Sequence, residues 1–287
     1  MSSPTTNPPL LPLSQTLAAE NSEGAAALAA ALAQRLADDA TFAYGPGTEP
    51  GTFRIEARTP KELDAHVTAV TRAAGCPLEA GPVSISTCWI PARLAEAGHR
   101  LGSADDATGD FAVVRLRVSP RRSGEGNLFE SEFAGPPEID ALNAAVARGV
   151  ARVFSEGNDG EGRIIDTRAV FIDGAFHPKR STPEGFEEAS ITAMRAACRT
   201  AGLRQLQPLM EIEIMAERDL VLPVVNDLAQ RGGNEVRRRL GPKGVIVTAE
   251  LPLTALLTYA AALATLGAGK AKLIGEPQLA RWAEVRR

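Results

Sequence analysis

The chain has 287 residues, of which 44% are hydrophobic and 23% are charged. These values are close to globular averages and exclude a wholly disordered chain. The formal net charge of −4 excludes a strongly basic duplex-binding protein, so any contact with nucleic acid must use local patches. No apolar run reaches the roughly 18 residues of a membrane span, and the three scattered cysteines are typical of a reducing cytosol.

The first segment predicts a small α+β domain at 15–88, preceded by a tail. Residues 1–14 contain four of the 20 prolines and predict a flexible segment. Ala/Leu-rich sequence predicts helices, and alternating polar and apolar residues predict half-buried strands. In chain order we expect a helix at 17–37, a strand at 52–57, a helix at 60–74 and a strand at 83–86.

The middle segment, 89–207, predicts a second α+β domain. Residues 98–109 have the composition of a loop, and the strand at 111–118 places Arg115 and Arg117 on one face. With Arg121 and Arg122 they form a basic cluster, for which a solvated sheet face is the favoured interpretation. The remaining predicted elements are a strand at 129–133, a helix at 137–155, a strand at 164–172, a polar loop at 173–183 and a helix at 185–201.

The last segment, 208–287, predicts a ferredoxin-like domain. Its predicted elements are a strand at 208–214, a helix at 220–231, strands at 236–240 and 244–250, a helix at 256–266 and a short strand at 271–274. This β-α-β-β-α-β order is the ferredoxin-like signature. That scaffold has many uses, so the fold alone assigns no function.

A resemblance to a known family supplies a functional hypothesis. The segment 164–177, IIDTRAVFIDGAFH, resembles the core of domain IV in the elongation factor G family, with Asp166, Asp173, Gly174 and His177 at the matching positions. The segment 207–214 resembles the start of that family's domain V, and 226–232 resembles the family's GDLNARRG motif. Weaker matches at 145–150, 251–260 and in the first domain extend the similarity over about residues 17–280.

The resemblance implies an α+β fold of three modules. They are a domain III-like ferredoxin-like module at 15–88, a domain IV-like module of the ribosomal protein S5 domain 2 type at 89–207, and a domain V-like ferredoxin-like module at 208–287. The family's middle module has a left-handed crossover, which we carry over as an expectation. No GxxxxGK[ST] phosphate loop occurs in this sequence, so we expect no GTP hydrolysis by these residues. The three cysteines and three histidines are scattered and indicate neither a metal site nor a catalytic set, so we also expect no enzyme activity, no cofactor and no metal.

By the same resemblance the partners are the ribosome with its rRNA and a separate translational GTPase chain, in the cytoplasm and away from membranes. Its role would lie in translocation or in the regulation of that step. The sequence does not address the oligomeric state.

Candidate RNA-binding residues follow from the matched motifs. At the domain IV tip they are Asp173, Gly174, Phe176, His177, Lys179 and Arg180, with His177 expected after a tight Asp-Gly turn. A neutral imidazole can stack on a base or donate to a phosphate, and the two cations add charge. The alternative is a solvated loop with no partner.

A second candidate patch lies in the domain V-like module. Arg238 belongs to the densest basic run, 237–239, which strand alternation would split between two faces. Arg231 and Lys270 are expected to join it. A solvated edge strand, charged against aggregation, explains the run equally well.

Departures from the family pattern leave three hypotheses open. The tip loop at 98–109 contains added acidic residues, and only Lys270 remains of the domain V cations, so electrostatic attachment to RNA should be weaker. The chain is a ribosome-binding accessory or split factor, a degenerate fragment that acts as a protein scaffold, or an unrecognised enzyme. The last would need a deep pocket lined by paired titratable groups.

Overall fold

The computed structural model of the chain describes residues 2–4, 11–39, 42–47, 49–103, 110–133, 138–158, 162–267 and 269–284. The helices are α1 (Ser22–Asp38), α2 (Pro60–Ala74), α3 (Glu138–Glu156), α4 (Pro183–Ala201), α5 (Val221–Gln230), preceded by a 3₁₀ turn at Arg218–Leu220, and α6 (Leu253–Gly267). The strands are β1 (Ser2–Pro4), β2 (Leu13–Ala19), β3 (Ala43–Pro46), β4 (Phe53–Ala57), β5 (Leu78–Ile85), β6 (Cys88–Pro91), β7 (Ala95–Leu101), β8 (Ala112–Pro120), β9 (Leu128–Ser131), β10 (Arg163–Ile164), β11 (Thr167–Phe176), β12 (Leu203–Ala216), β13 (Asn234–Gly241), β14 (Gly244–Pro252) and β15 (Ala271–Glu284).

The chain forms two compact units. The first unit contains Thr87–Leu206, together with β1 and Glu284. The second unit contains Pro8–Ser86 and Gln207–Ala283, and thus both ferredoxin-like modules. No helix of the described residues is long and apolar enough to cross a membrane.

In the second unit, the earlier module has the order β2-α1-β3-β4-α2-β5 and the sheet order β3-β4-β2-β5. This is the ferredoxin-like arrangement. Strand β2 corrects the sequence analysis, which assigned Leu13 and Ser14 to a flexible tail and Leu17 to a helix. Leu13 and Leu17 are fully buried in the sheet, because alternate residues of a strand point to the core, and the Ala-rich sequence that follows hid this short alternation.

Local signals define α2, as the sequence predicted. The Thr59 hydroxyl accepts a hydrogen bond from the Glu62 N–H at 3.2 Å, and the Glu62 carboxylate accepts one from the Arg58 N–H at 2.8 Å. Pro60 occupies the first turn, where it loses no hydrogen bond. Gly75 ends the helix in the left-handed conformation, with φ 65°.

His66 of α2 lies in a mixed environment of charges and aromatic rings. Arg35 of α1 approaches its Nδ1 at 3.3 Å, and Glu62 lies 3.7 Å from its Nε2. The ring of Phe42 packs against it edge-on, with 4.9 Å between ring centroids. Burial, and secondarily Arg35, lower the pKa of His66 below its ordinary 6.5, while Glu62 and Asp39 oppose this shift.

The later module of the second unit repeats the same plan with β12, α5, β13, β14, α6 and β15. Its sheet order is β13-β14-β12-β15, and β13 includes the predicted strand at 236–240. The last strand extends to Glu284, well past the predicted end at 274. Apolar residues of both modules, among them Leu13, Ile55, Ile212, Val247 and Tyr259, belong to one hydrophobic core.

The first unit is built on a sheet of order β1-β9-β11-β8-β7. Strand β9 runs parallel to its neighbour β11, with α3 in the connection, and the other pairings are antiparallel. Helices α3 and α4 pack on one face, with a core that includes Val114, Leu116, Phe154, Phe171 and Phe186. The hand of the crossover stays a prediction.

Strand β7 corrects a second expectation. Residues 98–101, which have a loop-like composition, pair with β8 as the end of a seven-residue strand. Gly98 fits there because an added Cβ would lie 3.2 Å from the Val114 carbonyl oxygen. Close backbone packing therefore explains a glycine that resembles a loop residue in the sequence.

Candidate nucleic-acid interface

Two connections leave the first unit's sheet at the same end. Leu101 of β7 and Phe176 of β11 both pair with Ala112 at the start of β8. The β7–β8 connection and the β11–α4 loop therefore emerge side by side. Residues 104–109 of the β7–β8 connection, which include the added acidic residues Asp105 and Asp106, lie outside the described residues. We call Arg100, His177, Lys179 and Arg180, at this end, the tip surface.

Hydrogen bonds hold His177 at the end of β11. Its backbone N–H donates to Ser181 Oγ at 2.8 Å, and the Ser181 hydroxyl donates to the Phe111 carbonyl at 2.5 Å. Its carbonyl oxygen accepts from the N–H groups of Arg180 and Ser181 at 3.1 and 3.0 Å. The Lys179 N–H donates to the imidazole Nδ1 at 3.2 Å. Both the backbone and the ring of His177 are thus anchored by the loop itself.

Arg180, a predicted RNA contact, is largely engaged within the protein. Its guanidinium donates to the Ser103 carbonyl at 3.1 Å and lies 5.8 Å from the centroid of the Phe111 ring. Arg100 lies over the same ring at 5.6 Å. Arg180 therefore braces the loop against β8, whereas Lys179 and Arg100 are exposed. The sequence analysis did not single out Arg100, although the strand alternation of β7 would have been the signal.

Asp173, Gly174 and Phe176 do not form the expected turn before His177. They continue β11, with Gly174 opposite Val114 in the ladder, and an irregularity between residues 171 and 173 lets the strand run on. A Cβ at Gly174 would lie 2.7 Å from the Val113 carbonyl oxygen, so close packing requires this glycine. Phe176 is half-buried against the core. Asp173 is exposed within the strand.

Asp166, another matched motif residue, has a structural role that the sequence did not reveal. Its buried carboxylate accepts hydrogen bonds from the N–H groups of Gly124 and Gly126 at 3.0 and 2.8 Å, and its backbone adopts φ 48°. The Asn127 side-chain amide donates a hydrogen bond to the Ile164 carbonyl, and its oxygen accepts one from the Thr167 N–H. This network fixes the β8–β9 turn at the end of the sheet opposite the tip surface.

The second predicted patch separates in the structure. Arg231, at the end of α5, donates to Asp227 at 2.9 Å and lies 5.3 Å from the ring centroid of Tyr259. Hydrogen bonding to Asp227 raises the pKa of Arg231, and burial raises the pKa of Tyr259 to about 12. The motif residues Asp227, Arg231 and Tyr259 thus form a packed cluster, which favours a structural role for Arg231.

Arg231 and Lys270 lie at opposite ends of the module, which corrects the expectation of a shared patch. Gly232, next to Arg231, lies against Pro252. Pro252 pairs with Leu209 in β12, so Arg231 is near the Leu209 end of this strand. Lys270 instead accepts a hydrogen bond at its carbonyl from the Glu217 N–H and pairs with the Glu217 carboxylate at 3.3 Å. Leu209 marks the end near Arg231 and Glu217 the end near Lys270. These two residues are eight positions apart, about 26 Å along an extended chain, so Arg231 and Lys270 do not form one patch.

Strand alternation splits the basic run on β13. Arg239 pairs with Glu213 at 2.9 Å and Arg237 with Glu235 at 3.7 Å. Arg238 is exposed, and in the part of the chain that the structure describes it has no carboxylate partner. Of the three patch residues, it alone combines exposure with an unpaired charge.

The arginines on the open face of the first unit's sheet are ion-paired. Glu96 accepts from Arg115 at 3.0 Å and from Arg117 at 2.8 Å, and Arg117 also approaches Glu132 at 3.6 Å. The hydrogen bond from Arg117 is the main cause of a lowered pKa for Glu96. Such neutralised pairs offer little attraction to phosphate.

Neither the two buried cysteines nor a cleft in the second unit suggests catalysis. Cys88 and Cys198 are buried, and burial raises the pKa of both thiols, that of Cys198 to about 12, so neither is an activated nucleophile. A cleft of about 360 Å³ is lined by Arg58, Thr59, Lys61, Glu62, Ala65, Glu276 and Gln278. The Lys61–Glu276 ion pair there is exposed, and the Thr59 hydroxyl is used as a helix cap.

Comparisons with known proteins agree with the fold. Residues 92–202 match the family model for elongation factor G, domain IV. Elongation factor G of Cereibacter sphaeroides is 28% identical over 241 residues, which cover 84% of this chain and 34% of that protein. The Paracoccus denitrificans protein is 26% identical over 241 residues, and elongation factor G 2 of Vibrio parahaemolyticus is 25% identical over 247.

The chain spans about a third of the length of these curated relatives. A crystal structure of a Thermus thermophilus protein shares the fold, with a TM-score of 0.64 at 20% identity, over 98% of this chain and 42% of that one. These matches confirm the resemblance drawn from the sequence and the predicted fold class. Residues 92–202 are therefore similar to domain IV of elongation factor G, and the chain as a whole resembles a part of that factor that includes domain IV.

Proposed function

We propose that this protein binds ribosomal RNA through the tip surface and acts in translation elongation, at translocation or in its regulation. The observation that carries the proposal is the convergence of the two connections at one end of the sheet, where an anchored His177 and the exposed cations Arg100 and Lys179 lie at the same end. An imidazole and two separate cations can contact an irregular phosphate backbone without a net basic charge. The similarity to elongation factors supports translation as the setting.

We further propose that a separate translational GTPase chain supplies nucleotide hydrolysis. The sequence contains no phosphate-binding loop of the GxxxxGK[ST] type. A pull-down from lysate at two salt concentrations, assayed for rRNA and for GTPase subunits, tests this partnership. Recovery of rRNA with no GTPase chain would contradict it while leaving RNA binding intact.

The direct test is co-sedimentation with purified 70S ribosomes of the parent and of a double variant, His177→Ala with Lys179→Ala. Arg180 is kept because its contacts to Ser103 and Phe111 brace the loop. We expect the affinity to fall about tenfold at low salt, from one lost phosphate contact and one lost hydrogen bond.

A matched control removes one positive charge at the other end of the same sheet. Arg122 is exposed in the β8–β9 turn, and Arg122→Ala should leave ribosome affinity unchanged. Equal binding by the parent, the double variant and the control would exclude the tip surface as the contact.

The alternative function is a protein scaffold without ribosome binding. The ion-paired sheet face and the pairing of Arg239 with Glu213 favour it, because they leave few unpaired cations. Failure of the folded parent to co-sediment with ribosomes at low salt would support the scaffold.

A further inference from the structure

Three exposed leucines lie at one end of the later module of the second unit. Leu222 is 61% exposed, Leu240 78% and Leu266 38%. They are three of the seven large hydrophobic residues that are exposed among the described residues. Single exposed leucines are ordinary on a protein surface, whereas several at one place are typical of an interaction site.

Strand pairing and chain order place Leu240 and Leu222 at the same end of the sheet. Leu240 pairs with Val245 of β14, which pairs with Ala216, the last residue of β12. The 3₁₀ turn begins two residues after Ala216, and Leu222 follows it in the first turn of α5. The end of β13 and the start of α5 therefore both lie at the end of β12.

The end of α6 lies at the same place. Leu266 is in the last turn of α6, and a Cβ on its neighbour Gly267 would lie 3.5 Å from Leu220 Cδ1 of the 3₁₀ turn. The Lys270 N–H donates to the Gly267 carbonyl, and the Lys270 carbonyl accepts from the Glu217 N–H. Helix α6 contains no charged residue, so its exposed side adds no charge to this end.

Cations accompany the three leucines. Arg218, in the 3₁₀ turn, and Lys243, in the β13–β14 turn, are exposed, and among the described residues no carboxylate lies within ion-pair distance of either. Lys270 is paired with Glu217 at 3.3 Å, and Asp219 is the other acidic residue of the turn. Positive charge therefore exceeds negative charge here. We call Leu222, Leu240 and Leu266, together with Arg218 and Lys243, the leucine surface.

This chemistry distinguishes between possible occupants. Leucine side chains neither stack on bases as aromatic rings do nor bind phosphate, so they add little to RNA recognition. A second copy of the chain would bring like charge against like charge. A protein segment with an apolar face and acidic flanks complements both the leucines and the cations.

We infer that the leucine surface docks an acidic amphipathic helix of a partner protein. The leucines belong to two helices and one strand, so a partner strand added to one sheet edge would not reach all three. A helix presents apolar side chains at i, i+3, i+4 and i+7 along one face and can contact several elements at once. This inference does not depend on RNA binding by the tip surface.

The test uses defined peptides and the full chain. A fluorescent helical peptide of about 18 residues carries Leu on one face and Glu on both flanks. We expect fluorescence anisotropy to show binding to the parent at low salt, with weaker binding as salt is added. Peptides with Ser in place of Leu, or with Lys in place of Glu, should each bind at least about tenfold more weakly.

Protein variants locate the contact. Leu222→Ser and Leu240→Ser should each weaken peptide binding about 5- to 10-fold through lost apolar burial, and Lys243→Glu should weaken it and flatten its salt dependence. The matched control is Leu94→Ser, at a leucine of the first unit that is 58% exposed, and it should bind as the parent does. Circular dichroism checks that each variant is folded.

Several outcomes would overturn the inference. They are the absence of peptide binding to the folded parent, equal binding of the Glu and Lys peptides, and an effect of Leu94→Ser as large as that of Leu240→Ser. Self-association of the parent in sedimentation velocity that Leu240→Ser abolishes would identify a second copy as the occupant instead. Binding of a single-stranded RNA that is lost in Lys243→Glu, with no response of the peptide, would identify an RNA contact. Ribosome co-sedimentation of Leu240→Ser should equal that of the parent, so failure of the tip surface and failure of the leucine surface are distinguishable.

Discussion

Gly149 is expected to set the distance between α3 and α4. A methyl group added at Gly149 would overlap Ser190 Oγ and lie 2.6 Å from the Glu187 carbonyl oxygen. The hydroxyl can rotate away, but the carbonyl belongs to the backbone of α4, so the helices would have to separate. Overpacking of this kind costs about 1–3 kcal/mol, whereas Gly to Ala in a helix interior gains about 1 kcal/mol.

We therefore expect Gly149→Ala to lower the free energy of unfolding by about 1 kcal/mol net, as measured by urea denaturation followed by circular dichroism. The control Ala144→Gly, at an exposed position of the same helix, measures the propensity contribution alone. Adding Ser190→Ala should restore only part of the loss, because the Glu187 carbonyl remains. If Gly149→Ala stabilises the protein by as much as Ala144→Gly destabilises it, the helices are not in close contact and the reasoning is refuted.

Three further outcomes are expected. Asp166→Ala should cost about 2 kcal/mol in urea denaturation because the N–H groups of Gly124 and Gly126 lose a charged acceptor, whereas Asp166→Asn should lose less, and equal losses would contradict this role. Burial and Arg35 lower the pKa of His66, so the folded state favours the neutral ring. The free energy of unfolding should therefore be highest above pH 6.5 and should decrease as the pH falls through the folded-state pKa. His66→Gln should flatten this pH dependence of stability, and an unchanged pH profile would refute the reasoning. Arg231→Ala should cost about 1 kcal/mol by losing Asp227 and the aromatic contact without weakening ribosome binding, and the reverse pattern would restore Arg231 as an RNA contact.

The sequence predicted most elements because their signals are local. The α2 cap and its terminal glycine, and the alternation of β8, β11 and β14, depend on neighbouring residues. Strand β2 was missed because Leu13 and Leu17 are followed directly by an Ala-rich helix, which dominates the composition. The Asp173–Gly174 pair was wrongly predicted to form a turn. Its glycine is required because a Cβ there would lie too close to the Val113 carbonyl oxygen, and the neighbouring sequence does not indicate this long-range contact.

The candidate site was less predictable than the fold because exposure and pairing are long-range properties. His177 and Lys179 follow from a motif, but only the structure brings Arg100 to the same end of the sheet. Similarly, the basic character of Arg231 is evident in the sequence, while its engagement with Tyr259 depends on the packing of α5 near α6.

Ion pairing decides how this protein can use its charge. The arginines of the open sheet face share Glu96, and Lys270 is paired with Glu217. A surface with so many neutralised cations gains little from counterion release, which dominates non-specific attachment to nucleic acid. RNA binding of the kind proposed above would then depend on a few positioned groups rather than on overall charge, and the anchored His177 is one of them. Such binding is compatible with a net charge of −4.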